Sequence, residues 1–183
     1  MMFKYFLGAF VIGVIINIGV VSPVFAQHNG HVHGQGQLLI AQDINAWRFE
    51  FILPAADILG FEHVPQTQAQ TDTLHQLIQD IAKVTPFLTL PHYCQLDKVV
   101  HQLQDKLVRS KADTPYEHAS HQGHMNHSDI TIAFEFQCSK EIASVQINLF
   151  LTAPSLSTLQ AQWIIDKSQS ASVLTPDSSL LTW

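Results

Sequence analysis

The stretch WRFEFIL, residues 47–53, indicates the fold class because apolar and polar side chains alternate along it. In an extended chain this alternation sends the aromatic and leucine side chains to one face and both charged side chains to the other. The apolar run at 38–41 precedes it, and Asp43–Asn45 can supply a turn between the two. We therefore predict a β-hairpin over residues 37–53.

Further strands are predicted at 94–108, 130–138, 145–151, 159–165 and 172–183. The first of these also fits a helical stripe, and the third also fits a helical turn. The alternation is clearest in the second.

One amphipathic helix is predicted from five apolar residues at helical spacing: Leu74, Leu77, Ile78, Ile81 and Val84. Thr71 or Asp72 could cap its first turn, and Pro86 would end it. The sequence therefore predicts an α+β fold, mostly an antiparallel β-sheet or sandwich with one main helix and a mobile histidine-rich loop.

The first 26 residues have the layout of an export signal. Lys4 gives a positive start, residues 6–21 are almost wholly apolar, and the small Ala26 stands where a signal peptidase cuts. An uncleaved membrane anchor is the alternative, because the apolar run approaches the ~17 residues that a short span needs. We predict residues 1–26 as a signal peptide and residues 27–183 as a single metal-binding domain.

The chain after residue 26 is acidic. Of the 9 Lys and Arg side chains, all but Lys4 remain, against 15 Asp and Glu, so the formal charge falls from −6 to −7. No basic cluster interrupts this balance. Nucleic acid and, once the signal is cleaved, membranes are therefore not expected as partners.

Cys94 and Cys138 are the two cysteines of the sequence. In an oxidising compartment an isolated pair most simply forms one disulfide, which would stabilise the fold by roughly 3 to 4 kcal/mol in the chain-entropy model. Two thiolates on a metal ion are the alternative, although four-ligand zinc sites usually take their cysteines from close CxxC pairs.

Seven of the eleven histidines lie in two short polar stretches, where packing cannot explain them. The first holds His28, His31 and His33, and the second, in the predicted mobile loop at 110–128, holds His118, His121, His124 and His127. Imidazole is the commonest protein ligand for zinc, copper and nickel. We therefore predict metal binding by both stretches, with a solvated polar linker as the alternative for the loop. The isolated His75, His92 and His101 are more simply explained as surface or satisfied polar histidines.

A preformed pair is predicted within the first stretch. If Gly30–Gly34 is extended, His31 and His33 point to the same side and can grip one ion. Further ligands could come from the connection that contains His63, or from His127–Asp129. The loop itself should bind more weakly, because it must lose chain entropy when it wraps an ion.

Motifs for catalysis are lacking, since the sequence has no HExxH, no GxSxG and no phosphate-binding glycine loop. Glu62 beside His63 could act as the general base of a single-zinc metallohydrolase, but nothing in the pattern requires this. We therefore expect a binding protein and not an enzyme, with the metallohydrolase kept as an alternative.

Three stretches together resemble the ZrgA family of zinc-regulated periplasmic proteins of Gram-negative bacteria. They are HVHG at 31–34, GFEHVPQT at 60–67, and HSDI at 127–130 leading into FEFQC at 134–138. The resemblance extends over nearly the whole chain after residue 26. It implies a periplasmic zinc-binding protein that captures or buffers zinc and assists its uptake alongside a high-affinity transporter.

The same resemblance implies a set of site residues. By motif position the core zinc ligands would be His31, His33, His63, His127 and Asp129, helped by Glu62, and Cys94 would be paired with Cys138. One departure is the loop, which has four spaced histidines where family members often carry a denser histidine and aspartate insert. Copper and nickel stay open as alternative ions, because selectivity cannot be read from the sequence.

Overall fold

Most of the chain that the structure describes folds around a six-stranded β-sheet. A computed structural model describes residues 32–103, 128–166 and 168–183. The predicted signal peptide at 1–26 lies outside the described residues, and so does the predicted loop at 110–128 except for Ser128. Within the described ranges, no helix combines the length and the apolar character that crossing a membrane requires.

The strands are β1 (Gln35–Asp43), β2 (Ala46–Pro54), β3 (Leu88–Thr89), β4 (Cys94–His101), β5 (Asp129–Cys138), β6 (Ser144–Ile147), β7 (Thr158–Ile165), β8 (Ser168–Leu174) and β9 (Leu180–Thr182). The helices are α1 (Ala55–Leu59), α2 (Gln68–Lys83) and α3 (Leu149–Thr152). The large sheet has the order β4-β5-β2-β1-β7-β8, and a small sheet has the order β3-β6-β9.

The centre of the large sheet is the hairpin predicted from residues 37–53. Strands β1 and β2 pair antiparallel, with Ile40 opposite Phe49, and β5 lies along the other side of β2, with Phe134 opposite Phe49. Alternate residues of these strands are buried, as the alternation in the sequence predicts. The turn places Ile44 at φ 55, a backbone conformation that residues other than glycine rarely adopt.

The core lies between one face of the large sheet and a second layer made of α2, the small sheet and the segments around it. Phe87, just before β3, contacts the rings of Phe51 and Phe134 at 5.9 and 5.3 Å between centroids. Trp183, at the end of the chain, stacks on Trp47 at 5.4 Å. These aromatic contacts bury large apolar areas and fix the second layer against the sheet.

The α+β class and its mainly antiparallel sheet are confirmed, with one difference in strand direction. β1 and β7 are parallel neighbours, with Leu38 opposite Ala161. Alternation along a strand reports which face is buried, but it does not report the neighbouring strand or its direction. The sequence pattern therefore could not predict the parallel pairing of β1 with β7.

Several predicted boundaries move by a turn or a few residues. The helix α2 begins earlier than expected: Thr67 caps it, accepting from the N–H of Gln70 at 3.2 Å, and neither Thr71 nor Asp72 is the cap. The segment predicted as a strand at 145–151 divides into β6 and α3. The segment predicted at 172–183 divides around a turn at Pro176. The strand predicted at 94–108 is confirmed for Cys94–His101.

The predicted disulfide between Cys94 and Cys138 is confirmed, so the alternative of two metal-bound thiolates is wrong. The two residues face each other across β4 and β5, with 4.0 Å between their Cα atoms. The bond closes a sequence separation of 44 residues. In the chain-entropy model a loop of that size stabilises the folded state by about 4 kcal/mol.

Candidate metal centre

His33 lies in a tight turn immediately before β1. The N–H of Gln35 donates to the carbonyl of Val32 at 3.0 Å, and Gly34 has φ 79, which a type II turn requires at its third position. The condition that Gly30–Gly34 is extended is therefore not met at Gly34. The pairing of His31 with His33 stays a prediction, because His31 lies outside the described residues.

The turn is fixed by two distant parts of the chain. The N–H of Gly34 donates to Oδ2 of Asp57 in α1 at 2.6 Å. The carbonyl of Gly34 accepts from the hydroxyl of Ser157 at 2.8 Å and from the N–H of Thr158 at 3.0 Å. Because these bonds already hold the backbone at Gly34, less backbone entropy is lost when the neighbouring His33 binds a ligand.

His33 and Glu62 are brought together by this turn and the loop after α1. Nε2 of His33 lies 3.6 Å from Oε1 of Glu62, and their side chains are 57% and 22% exposed. Two ligand atoms bound to one tetrahedral zinc, each about 2.0 to 2.1 Å from the ion, are about 3.3 Å apart. The observed separation is close to that value, so the donor pair fits a zinc ion with a small side-chain movement.

The start of β5 is attached to the same loop. The hydroxyl of Ser128 donates to the carbonyl of Glu62 at 2.9 Å, and the carbonyl of Ser128 accepts from the N–H of Ala55 at 2.9 Å. Asp129, which follows, is exposed and lies opposite Pro54 in the sheet. The structure thus brings the first residues of β5 next to the backbone of Glu62.

His63 follows Glu62 in the same loop. Its Nδ1 lies 2.8 Å from the carbonyl of Val64. In histidines that bind metal, one ring nitrogen holds the ion while the other is often held by a backbone carbonyl, and this contact leaves Nε2 for the first of these roles. The ring stacks on Phe61, with 5.5 Å between centroids, and the residue is exposed.

The described residues do not form a complete ligand set on their own. In residues 32–103, 128–166 and 168–183, no group of three or more His, Cys, Asp and Glu side chains is arranged to hold a metal ion. The pair of His33 and Glu62 is the part of the predicted site that the structure brings into contact. The other predicted ligands in the histidine-rich stretches lie outside the described residues: His28, His31, His118, His121, His124 and His127.

The three isolated histidines differ in their exposure. His75 on α2 and His92 are exposed, and the ring of His92 contacts Tyr93 edge-on at 5.6 Å. His101 is half-buried, and its Nδ1 accepts from the N–H of Leu103 at 3.4 Å. Burial lowers the pKa of His101 below its ordinary value.

Asp57 and Ser128 are positioning residues whose roles the sequence did not predict, although Ser128 stands in the HSDI motif. Asp57 holds the turn beside His33, and Ser128 holds the loop of Glu62. These contacts join residues 23 and 66 positions apart, so no local spacing rule reveals them. Gly34 was quoted within the HVHG motif, and its positive φ now explains why a glycine stands there.

Comparison with known proteins agrees with the resemblance found from these motifs. A family model described as "ZrgA family zinc uptake protein" matches residues 30–183. A comparison with curated proteins finds no match. The matched range contains the turn of His33, the loop of Glu62 and the start of β5.

Proposed function

The chain belongs to the ZrgA family of zinc uptake proteins, and on this basis we propose that it is a periplasmic zinc-binding protein that captures zinc and buffers it for uptake. The observation that carries the proposal is the 3.6 Å between Nε2 of His33 and Oε1 of Glu62. A neutral imidazole and a carboxylate are both common zinc ligands, and here they meet at nearly the separation that a shared ion requires.

Two donors are too few for tight binding, so the proposal includes further ligands. Asp129 follows Ser128, whose side chain is hydrogen-bonded to the Glu62 loop. Nε2 of His63 belongs to the next residue of that loop, whose Nδ1 contacts the carbonyl of Val64. In the sequence, His31 stands two residues before His33, and His127 directly precedes Ser128. We propose that the tight ion is held by His33 and Glu62 together with ligands drawn from these residues.

A second class of weaker sites is proposed for the histidines at 118–124. Several imidazoles in a short polar segment raise the local ligand concentration, but ordering the segment costs conformational entropy. The affinity of each such site should therefore be lower than that of the site at His33 and Glu62. Together the two classes describe a buffer that fills and empties with the zinc supply, and we propose a binding role and not catalysis.

The central experiment is calorimetric titration of zinc into untagged, chelator-stripped protein comprising residues 27–183. The wild type should bind more than one zinc ion. His33→Ala and Glu62→Gln should each weaken the tightest site by at least about tenfold, because loss of a direct ligand should cost no less than loss of an outer contact. His75→Ala, which removes an exposed histidine on α2, is the matched control and should leave that site unchanged.

The loop sites are tested by a deletion that spares residues near the pair. A chain lacking residues 106–125 should retain the tightest site and bind fewer ions in total. Absence of any zinc binding, or a tight site indifferent to both His33→Ala and Glu62→Gln, would contradict the proposal.

The compartment is tested separately. The full chain should appear in its host's periplasmic fraction after osmotic shock, shortened by the first 26 residues, which mass spectrometry of the released protein measures. Retention of the unshortened chain in the membrane fraction would contradict the proposed location.

A further inference from the structure

The described part of the chain has four sheet edges, and three of them carry features that discourage pairing with another polypeptide. β3 and β9 have 2 and 3 residues, too few for an extended ladder. β4 has a register shift between Leu96 and Lys98, and the charged pair Asp97 and Lys98 lies at that irregularity. Short strands, bulges and charged residues are the usual means by which proteins protect sheet edges.

The fourth edge, β8, has none of these features. Its seven residues, SQSASVL, include no charge and no proline. It pairs with β7 without a register shift, from Ser168 opposite Ile165 to Leu174 opposite Leu159. Six of its seven residues are exposed, so neither face of the strand is covered by the part of the chain that the structure describes.

We propose that β8 is an interaction edge that pairs antiparallel with β8 of a second copy of this chain. A two-fold axis beside Ala171 would join two six-stranded sheets into one continuous sheet of twelve strands. Closed two-fold dimers are the commonest form of self-association in soluble proteins, and they require a surface that is complementary to itself.

The sequence of β8 has this self-complementarity. With Ala171 opposite Ala171, Ser170 faces Ser172 on both sides of the axis, and Gln169 faces Val173. Hydroxyl pairs of this kind favour adjacent antiparallel strands. The chain carries a formal charge of −6, but the strand itself brings no like charges together at the joint.

Apolar side chains beside the edge support the same arrangement. Val173 and Ile164 are 58% and 67% exposed, and both lie on the sheet face that points away from the core. Ile164 is opposite Gln169, and Gln169 would be opposite Val173 of the second copy. The pairing therefore places Ile164, Gln169 and the second copy's Val173 in one row and removes apolar surface from water.

The test uses sedimentation velocity of untagged residues 27–183 from about 5 to about 200 µM, with chelator present so that histidines cannot bridge copies through zinc. A single strand pair is a small interface, so we expect a dissociation constant on the order of 10 µM. Ala171→Lys places two like charges at the axis and should weaken the dimer at least tenfold. Leu96→Lys, at the exposed position of the protected edge β4, is the matched control and should leave the dimer unchanged.

A charge-reversal mixture makes the assignment specific. Ala171→Lys and Ala171→Glu should each dimerise at least tenfold more weakly than the wild type. An equimolar mixture should associate more tightly than either variant alone, because opposite charges then meet at the axis. Circular dichroism and thermal melting check that each variant is folded. A wild type that stays monomeric at about 200 µM overturns the proposal, as does a dimer that resists Ala171→Lys or a mixture that does not associate.

Discussion

The N–H of Gly34 donates a 2.6 Å hydrogen bond to the carboxylate of Asp57, and this contact ties the turn that carries His33 to helix α1. A hydrogen bond to a charged group contributes roughly 1.5 to 3 kcal/mol to stability. We expect Asp57→Ala to lower the free energy of unfolding of the metal-free protein by about that amount and to weaken the tightest zinc site several-fold. Urea unfolding and zinc titration measure the two effects.

Two further variants make the Asp57 prediction specific. Asp57→Asn keeps an acceptor oxygen and should cost less in both measurements. Asp72→Ala removes an exposed carboxylate on α2 and should change neither. Equal losses from Asp57→Ala and Asp72→Ala would contradict a specific role for the contact with Gly34.

The crowded position of Gly34 predicts that Gly34→Ala is more harmful than Gly60→Ala. Both glycines have φ near +80°, which costs an L-residue about 1 to 2 kcal/mol. A Cβ at Gly34 would also lie 3.1 Å from Oγ of Ser157 and 3.3 Å from the carbonyl of Ser155. A Cβ at Gly60 would have no atom of the described residues within 4 Å. Chemical unfolding of both variants gives the comparison, and equal destabilisation would show that the contacts with Ser155 and Ser157 are not limiting.

Removal of the disulfide should affect stability and not zinc binding. The bridge joins the end of β5 at Cys138, whereas Asp129 begins that strand at its other end. We expect Cys94→Ala combined with Cys138→Ala to lower the free energy of unfolding by about 4 kcal/mol and to leave the zinc affinity of the folded protein unchanged. Guanidinium unfolding and calorimetry separate the two. A folded double variant that has lost its tightest zinc site would instead connect the cysteines to the metal.

Acidification should destabilise the protein partly through His101. Burial lowers the pKa of this imidazole below 6.5, so the unfolded chain takes up the proton first as the pH falls. The contribution of neutral His101 to stability is complete above about pH 6.5 and is lost as the pH falls through the lower pKa of the folded state. His101→Gln keeps an acceptor for the N–H of Leu103, so the variant should lose less stability than the wild type on acidification.

The measurement for His101 is the urea midpoint with chelator at several pH values on either side of 6.5. His75→Gln, which alters an exposed histidine, controls for a general effect of losing an imidazole. Parallel pH dependence of the wild type and His101→Gln would show that His101 does not account for the acid sensitivity.

The sequence predicted those parts of the fold that have a regular spacing of apolar residues along the chain. The alternation at 47–53 and 130–138 gave β2 and β5, and the spacing from Leu74 to Val84 gave α2, because one buried face imposes a regular period. The cap at Thr67 was missed because the exposed polar residues of the first helical turn carry no such period. The parallel pairing of β1 with β7 was missed because it depends on the path of the chain between distant strands.

The site shows the same division between motif and geometry. The motifs at 31–34, 60–67 and 127–130 identified regions that the structure brings together at the Glu62 loop. The contact between His33 and Glu62 joins two of these motifs. The turn at Gly34 was not predicted, because the sequence pattern does not show that this glycine has a positive φ. The hydrogen bond between Asp57 and Gly34 was not predicted, because a single aspartate in the sequence does not indicate a partner 23 residues away.

Strands β4 and β5 are antiparallel neighbours, so a connection of two residues would suffice to join them. The chain instead has residues 102–128 between them. Closing a longer connection adds only about 0.6 kcal/mol per doubling of its length. Length and histidine content at this point can therefore change with little effect on the sheet. Under the proposed function, the number of ions that one molecule stores would then vary independently of the stability of its core.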